Sequence, residues 1–440
     1  MFKGAYKINV RQISFIFLSL VLFSCSKREE IPQQFSSYGY SMDGSRFVPN
    51  IGVPSRSTSL SITNEGNLVS ILPFNNNGFL AATNAKEIFF GTDTSAKFFA
   101  ASKDENVIGN LSRPDEITNI LSDKNSIYVV HFSGKIDAFD TNGKLRWQWS
   151  DNSMVGEVNF GSAILADTDL IITGKTIGGS YPLFAIDIHN GKEIPWGGIQ
   201  GDPYRSLVFD AAHDIVFGAF DSVLEGDRLY GDGECIMYHV FQQRFHHQEL
   251  RIISNICLCG KTDGKIIDKI AFGYLSKRPG SDERTMNVGI FSISRSSTGY
   301  TLEKLSSHEV PYLPINIASN GPVVLSSGFY DSGTELTSGI DAFYADDTTK
   351  LWQRRFTYPL AAPVAISEKY AYFTLTFSTQ AAVPAQSIFY TLELSTGKTL
   401  GELPVTGAHT GFAPGIPMPF GESGFMLADK EKPIIYFLKP

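Results

Sequence analysis

Short apolar runs separated by polar turns recur along most of the chain, from about residue 57 onward. Many of these runs alternate apolar and polar positions, which is typical of strands that bury one face. No stretch carries a convincing helical stripe of apolar residues. The pattern therefore predicts an all-β protein made of many short strands.

One phrase of this pattern repeats. It reads KIDAFDTNGKLRW at Lys135–Trp147, and it returns at Leu183–Trp196, Gly339–Trp352 and Ile388–Leu400. Each copy has an apolar run, a polar turn and a second short run. A turn such as Asn-Gly between apolar runs predicts a β-hairpin. A supersecondary unit that recurs about every fifty residues predicts a repeat architecture, here a β-propeller.

The hairpin turns give the number of units. We place the turns between third and fourth strands near seven positions, Asp104, Gly143, Gly191, Gly264, Gly299, Thr348 and Gly397. Their mean spacing of about 49 residues suits a four-stranded blade. Strands for a further blade come from Pro417–Pro440 together with a strand in Ser59–Leu72. We predict four-stranded blades in a ring closed by strands from both termini, with eight blades favoured and seven as the alternative.

The long gap between Gly191 and Gly264 predicts an insertion around residues 225–249. Repeat folds accept extra residues in loops, which often lie on the binding face. This segment holds aromatic and basic side chains of the types enriched at interface hot spots. The candidate partner surface is Tyr230, Tyr238, Phe241, Arg244, Phe245, His246 and His247. The alternative is that the aromatic side chains only pad the outer surface of the fourth blade.

The N-terminal sequence predicts the cellular location of the protein. Positive residues precede the apolar run Ile13–Phe23, which is too short to span a bilayer, and Leu22–Cys25 resembles a bacterial lipobox. We predict a signal peptide at 1–24, a lipidated Cys25 with a flexible tether at 25–56, and a propeller at 57–440. Ser26 follows the cysteine in place of an Asp, which favours the outer membrane, on its periplasmic face or the cell surface. A plain secretory signal is the alternative.

Composition excludes one class of partner. The net charge of −8 and the absence of a Lys/Arg cluster argue against nucleic acid. No phosphate-binding loop, dinucleotide fingerprint or nucleophile elbow is present in the sequence. The predicted partners are the membrane, through the lipid, and a protein or glycan of the envelope.

The run AFDTNGKLRW at Ala138–Trp147 resembles the tryptophan-docking repeat of quinoprotein-alcohol-dehydrogenase-like propellers. The resemblance implies that Trp147, Trp196 and Trp352 each pack against a neighbouring blade, and Leu400 replaces the tryptophan in the last copy. This superfamily contains pyrroloquinoline-quinone dehydrogenases. It also contains the non-enzymatic propeller lipoprotein of the outer-membrane β-barrel assembly machinery, to which a lipidated propeller is more similar.

The dehydrogenases of this superfamily use Ca²⁺, a catalytic Asp and usually an adjacent Cys pair, and this chain has no Cys-Cys dipeptide. The aspartates at repeat positions are interpreted as turn and strand-end residues that bind backbone N–H groups. They are Asp137, Asp140, Asp187 and Asp341. We therefore predict no catalytic residue and no cofactor.

One group of residues could ligate a metal or form a disulfide. It comprises Cys235, His239, His246, His247, Cys257 and Cys259. Cys257 and Cys259 would share one face of a strand, but buried free cysteines are common and the spacing is not the paired spacing of structural zinc sites. We predict no metal, and a disulfide from Cys235 to Cys257 or Cys259 is left open.

These features together predict a lipid-anchored envelope propeller that acts as a non-catalytic binding or scaffold module. The alternative is an enzyme of the propeller class, either a divergent quinoprotein dehydrogenase or a glycan-active protein, with its site at the mouth of the central channel.

Overall fold

The structure is a computed structural model of the full chain. It describes residues 35–36, 48, 51–63, 66–74, 78–101, 116–156, 158, 162–194, 206–210, 215–220, 223–230, 236–244, 250–260, 269–278, 280–281, 283–296, 299–331, 336–346, 349–360, 363–377, 386–406, 417–421, 424–429 and 432–440. Within these ranges, no helix is long and apolar enough to cross a membrane.

Almost all of the described residues lie in β-strands or in the turns between them. Two strands come before the repeats, β1 (Phe35–Ser36) and β2 (Arg56–Ser61). The first four sheets follow in chain order. Sheet 1 contains β3 (Leu68–Phe74), β4 (Gly78–Thr83), β5 (Glu87–Gly91) and β6 (Ala96–Ala101). Sheet 2 contains β7 (Ile117–Ser122), β8 (Ser126–His131), β9 (Ile136–Asp140) and β10 (Leu145–Trp149). A two-stranded ribbon pairs β11 (Met154–Gly156) with β14 (Lys175–Thr176). Sheet 3 contains β12 (Ala163–Ala166), β13 (Asp169–Thr173), β15 (Leu183–Asp187) and β16 (Glu193–Ile194). Sheet 4 contains β17 (Ser206–Asp210), β18 (Ile215–Phe220), β19 (Val223–Tyr230) and β20 (Ile236–Arg244).

The remaining sheets have the same plan. Sheet 5 contains β21 (Leu250–Cys259), β22 (Lys269–Lys277), β23 (Arg284–Ser296) and β24 (Gly299–Glu309). Sheet 6 contains β25 (Leu313–Ser319), β26 (Val323–Asp331), β27 (Leu336–Tyr344) and β28 (Lys350–Phe356). Sheet 7 contains β29 (Ala365–Ile366), β30 (Tyr370–Phe377), β31 (Gln386–Glu393) and β32 (Thr399–Thr406). Sheet 8 contains β33 (Met418–Phe420), β34 (Gly424–Ala428) and β35 (Ile434–Lys439), and β2 is its fourth strand.

The sheets follow one another around a ring. The first strand of each sheet lies beside the first strand of the next from sheet 1 to sheet 7, and β33 of sheet 8 lies beside β3 of sheet 1. Buried apolar clusters fill the spaces between neighbouring sheets. The described residues thus form eight sheets of four or five strands, arranged as the predicted β-propeller.

Two faces of the ring follow from this topology. Strands within each sheet are antiparallel neighbours, so the connections alternate between opposite sides. We call the side with the first-to-second and third-to-fourth connections the turn face. The side with the second-to-third and sheet-to-sheet connections is the loop face.

Strands from both termini close the ring, as predicted. β2 pairs antiparallel with β35 along its whole length, from Arg56 opposite Lys439 to Ser61 opposite Ile434. The closing strand is β2, whereas β3, which also lies in the predicted range, begins sheet 1. The Lys439 ammonium forms an ion pair with Asp93, which joins sheet 8 to sheet 1.

Polar clasps join the inner strands of neighbouring sheets. The Asn255 side chain accepts a hydrogen bond from the Ile317 N–H at 2.9 Å and donates one to the Ile317 carbonyl at 2.9 Å. It therefore copies a backbone pairing between β21 and β25. On the other side of β21, Ser206 Oγ accepts from the Ile256 N–H at 3.3 Å. Buried polar groups of this kind are stable because each one has a partner.

The prediction of an insertion at 225–249 is wrong. Most of this range lies in β19 and β20, the third and fourth strands of sheet 4, which pair antiparallel. Position 264 comes after β21 and before β22 in the chain, so the predicted third-to-fourth turn of the fourth unit is misplaced there. The long gap therefore holds parts of two blades rather than an enlarged one.

Parts of the predicted flexible tether are integrated into the fold. β1 pairs with β7 and adds a fifth strand to the inner edge of sheet 2. Val48 and Ile51 are buried in an apolar cluster that extends over sheets 7, 8 and 1. Apolar side chains in this segment explain the difference, because burying them removes hydrophobic surface from water.

Candidate functional site

Several predicted site residues lie outside the described residues: Cys25, Trp196, Phe245, His246 and His247. Four residues of the candidate partner surface lie on described strands. Tyr230 ends β19, and Tyr238, Phe241 and Arg244 lie on β20, the outermost strand of sheet 4. Their position in an outer hairpin differs from the predicted inserted loop.

Two of the repeat tryptophans contact the neighbouring sheet in the same way. Trp147 in β10 donates a hydrogen bond from Nε1 to the Ile188 carbonyl at 3.0 Å. Its ring covers Gly191, where a Cβ atom would lie only 2.7 Å from the ring. Trp352 in β28 donates to the Leu394 carbonyl at 2.6 Å. Each tryptophan thus ties a fourth strand to the next hairpin turn.

Glycine is required in these turns for two separate reasons. Gly397 has a φ of 69°, in the left-handed region that side-chain-bearing residues avoid. A Cβ atom there would lie 2.6 Å from the Trp352 ring. The glycine of the repeat therefore provides both the turn geometry and the space for the docking ring.

The repeat aspartates divide into two kinds. Asp140 and Asp187 cap hairpin turns as predicted, since Asp140 Oδ1 accepts from the N–H groups of Asn142 and Lys144, both at 2.9 Å. These hydrogen bonds hold the pKa of Asp140 below its usual value. Asp187 Oδ1 accepts from the His189 N–H at 2.7 Å.

The turn interpretation is wrong for Asp137 and Asp341, which are buried inside third strands. Asp137 Oδ1 accepts from Gln148 Nε2 at 2.7 Å, and Lys135 Nζ lies 3.4 Å from the same oxygen. His131 Nε2 lies 3.2 Å from Asp137 Oδ2, and both residues are sealed from solvent. This arrangement neutralises a carboxylate in the core and leaves no access for a substrate.

Asp341 occupies the equivalent place in sheet 6. Lys350 Nζ lies 2.6 Å from Asp341 Oδ1. Beside it the Tyr312 ring lies against Gly339, and its hydroxyl donates to the Ser326 carbonyl at 3.0 Å. Burial raises the pKa of Tyr312 well above its usual value, and the charge of Asp341 raises it further. The Tyr312 side chain is therefore uncharged and packs between sheets 5 and 6.

A third buried carboxyl group, that of Asp169, destabilises the fold when it is charged. Asp169 in β13 is opposite Asp187 in the strand register and only 5% exposed. Burial, and then the charges of Asp187 and Asp167, raise the pKa of Asp169 to about 7. A partly protonated carboxyl group in this position makes the fold sensitive to pH.

Both described cysteines are buried. Cys257 and Cys259 lie on β21, the inner strand of sheet 5, and pack in the cluster between sheets 5 and 6. The third-to-fourth turn predicted near Gly264 would put them on a third strand, whereas β21 is the first strand of sheet 5, so that prediction is wrong. Among the described residues, no group of His, Cys, Asp or Glu side chains could hold a metal ion. Cys235 lies outside the described residues.

The space between sheets 6 and 7 differs from its repeat equivalent between sheets 2 and 3. In sheet 2, Trp149 is opposite Ile136 and packs on Phe184 with ring centroids 5.3 Å apart. In sheet 6, Arg354 is opposite Ile340, the same repeat position. Its guanidinium lies 5.9 Å from the centroid of the Phe356 ring and donates to Thr399 Oγ1 at 3.2 Å. The apolar contact of Trp149 with Phe184 is thus replaced, at the equivalent position, by the guanidinium of Arg354 over the Phe356 ring.

Further aromatic and basic side chains surround Arg354. The next residue, Arg355, lies 5.4 Å from the centroid of the Tyr330 ring. Tyr390 stacks on Phe373 with centroids 5.3 Å apart, and Tyr358 is 40% exposed. Neither arginine is within ion-pair distance of a carboxylate in the described part of the chain. We call this surface the arginine ledge, and it comprises Tyr330, Arg354, Arg355, Phe356, Tyr358 and Tyr390.

The arginine ledge lies toward the loop face, because fourth strands end there and Arg355 and Phe356 end β28. Cations stacked on aromatic rings keep their donor groups available for a partner. This surface is not predicted by the repeat pattern. The signal in the sequence is the difference between WQWS, which begins at Trp147, and WQRRF, which begins at Trp352. The second copy has two arginines where the first has a tryptophan and a serine.

Comparison with known proteins rests on structure. No protein-family model matches the chain, and no curated protein matches it. The structure of BamB from Moraxella catarrhalis is similar, with a TM-score of 0.56 at 15% identity over 88% of this chain and 98% of that one. The fold is a PQQ-repeat-like β-propeller.

Two further structures share this propeller. The quinohemoprotein alcohol dehydrogenase ADHIIG from Pseudomonas putida HK5 has a TM-score of 0.57 at 11% identity, over 94% of this chain and 81% of that one. The computationally designed Ika8 protein has a TM-score of 0.58 at 12% identity, over 88% of this chain and 100% of that one. At such identities the likeness shows the fold alone, so the function of the propeller has to be argued from its own residues.

Proposed function

We propose that this propeller is a lipid-anchored, non-catalytic binding or scaffold module of the bacterial outer membrane, with a protein or glycan partner in the envelope. The similarity of its fold to BamB supports an envelope role. The lipobox-like sequence at Leu22–Cys25 supports the anchor.

One observation carries the choice of a scaffold over an enzyme. Strand β1, which follows Cys25 in the chain, lies inside the ring, where it pairs with the inner edge of β7. Further along, the Val48 N–H donates to the Ile366 carbonyl on the inner strand of sheet 7, at 2.7 Å. An enzymatic site at the central mouth would compete for this space. In the described part of the chain nothing favours the enzyme alternative.

The first test concerns the anchor. Replacing Cys25 with alanine should move the protein from washed membranes into the soluble envelope fraction, because the acylation site is lost. Stable attachment requires more than one acyl chain, which a multiply acylated cysteine provides. Fractionation with immunoblotting measures the effect, and Ser26→Ala is the matched control. A Cys25→Ala protein that stays in the membranes at the control level would refute the anchor.

The partner surface is the second part of the proposal. The arginine ledge presents aromatic and Arg side chains, the types that dominate interface hot spots. The outer hairpin of sheet 4, with Tyr230, Tyr238, Phe241 and Arg244, is a second candidate surface with the same residue types.

Photo-crosslinking in living cells tests these surfaces. A photoreactive residue at Tyr358 or Tyr238 should give an adduct of one discrete mass, whereas the exposed position Lys97 on β6 should give none. If the ledge carries the contact, Arg355→Ala should remove the Tyr358 adduct, because the cation is lost while the fold is kept. Adducts that are equal at all three positions, or absent from all, would contradict a specific partner surface.

A further inference from the structure

The register of β1 fixes the face by which the N-terminal segment enters the ring. Phe35 is opposite Ser122 and Ser36 is opposite Leu121, so β1 runs antiparallel to β7. Ser122 is the last residue of β7, next to the first-to-second strand turn at 123–125. Phe35 is therefore on the turn face, and residue 34 is attached to it on that side.

The next described contacts of this segment are also on the turn face. Val48 bonds to Ile366, the last residue of β29 before its turn. The Ser55 N–H donates to the Lys439 carbonyl at 2.9 Å, where the third strand β35 ends. The entry at sheet 2 and the exit at sheet 8 are thus bound to the same side of the propeller.

The length of the intervening chain limits how the propeller can be oriented. Nine residues separate Cys25 from Phe35, and the ten Cα–Cα steps between the two span at most about 33–36 Å when fully extended. To reach the loop face around the rim, the chain would first cross from β1 to β10, four strand spacings or about 19 Å. It would then climb the five residues of β10, about 17 Å. These two distances use the whole extended length of the tether, so by this route the loop face cannot be brought to a membrane.

We propose that the turn face is directed toward the membrane and that the loop face, with the arginine ledge, is directed away from it toward partners. This inference rests on the proposed lipid anchor at Cys25. Beyond the anchor, it specifies that the turn face is the side next to the lipid surface and that the partner surface is on the opposite side.

Depth-dependent quenching tests the orientation. The lipidated full-length protein, in a Cys235→Ser background, carries one fluorophore at Asn142→Cys on the turn face or at Ala85→Cys on the loop face, both exposed positions. The protein is placed in phosphatidylcholine–phosphatidylglycerol vesicles whose headgroups carry a spin-label quencher. Quenching at position 142 should exceed that at position 85 several-fold, because the two faces are separated by about 17 Å.

A longer tether provides the matched control. A long Gly/Ser insertion between Cys25 and Phe35 should remove the difference between the two positions, since the propeller can then turn over. Equal quenching with the native tether, or stronger quenching at position 85, would overturn the orientation. If the Cys25→Ala protein binds these vesicles as well as the lipidated one, the anchor proposal itself fails, and the two failures are therefore distinguishable.

Discussion

Replacing Trp352 with alanine is expected to lower the free energy of unfolding by about 3–5 kcal/mol. The side chain is only 8% exposed and lies between sheets 6 and 7, where its ring covers Gly397. Truncation leaves a cavity and also removes the hydrogen bond from Nε1 to the Leu394 carbonyl. Urea unfolding measures the total loss, and hydrogen exchange shows whether sheet 7 opens first.

Three matched variants separate the causes. Trp352→Phe keeps most of the packing and should cost less, since it removes mainly the hydrogen bond, worth about 1 kcal/mol. Gly397→Ala should reproduce much of the loss, because the new Cβ meets the tryptophan ring and the φ of 69° disfavours it. Leu400→Ala, at a position 39% exposed, should have a small effect. A Trp352→Ala protein as stable as the Leu400→Ala protein would refute the docking role.

Replacing Asp169 with asparagine is expected to stabilise the protein at pH 8 and to change little at pH 4. The raised pKa of Asp169, about 7 against an ordinary 3.8, means that the folded state binds more protons than the unfolded state between these values. Stability is therefore lost as the pH rises through this window, by about 4 kcal/mol at most. Asparagine resembles the protonated carboxyl and avoids this loss. Unfolding curves across pH 4–8 measure the difference.

Asp140→Asn provides a control of opposite sign. The pKa of Asp140 is lowered by the backbone N–H groups of Lys144 and Asn142, so its carboxylate stabilises the fold above the unfolded pKa. That contribution is lost as the pH falls through the lowered folded pKa. Asp140→Asn should therefore be slightly less stable at neutral pH and equal to wild type in acid. If both variants shift stability in the same direction at pH 8, the account of Asp169 is wrong.

The sequence predicted the fold wherever the repeat kept its turn chemistry. The turns predicted at Gly143, Gly191 and Gly397 do connect third and fourth strands in the structure. The docking tryptophans and capping aspartates hold these residues in one geometry. The sequence of β19 and β20 contains no tryptophan, so it lacks the signal that marks the other hairpins, and the pattern predicts an insertion instead. Strand pairing there depends on tertiary packing more than on local signals.

The functional residues were harder to predict, for a physical reason. Among the described residues, Arg355 has no carboxylate within ion-pair distance, and it lies against the ring of Tyr330, which comes from another strand. Both properties depend on neighbours that the fold brings together. Asp137 and Asp341 show the converse, since their burial within third strands changes the meaning of an Asp that would otherwise cap a turn.

The pairing of β2 with β35 has a consequence for how this chain is made. The closing strand β2 emerges well before its partner β35, because sheets 1 to 7 lie between them in the chain. Sheets 1 to 7 can form in order as the chain emerges, but sheet 8 has to wait for β35, and contacts so distant in sequence form slowly. An exposed β2 edge during this interval is a point at which a chaperone could hold the chain and a protease could remove unfinished copies.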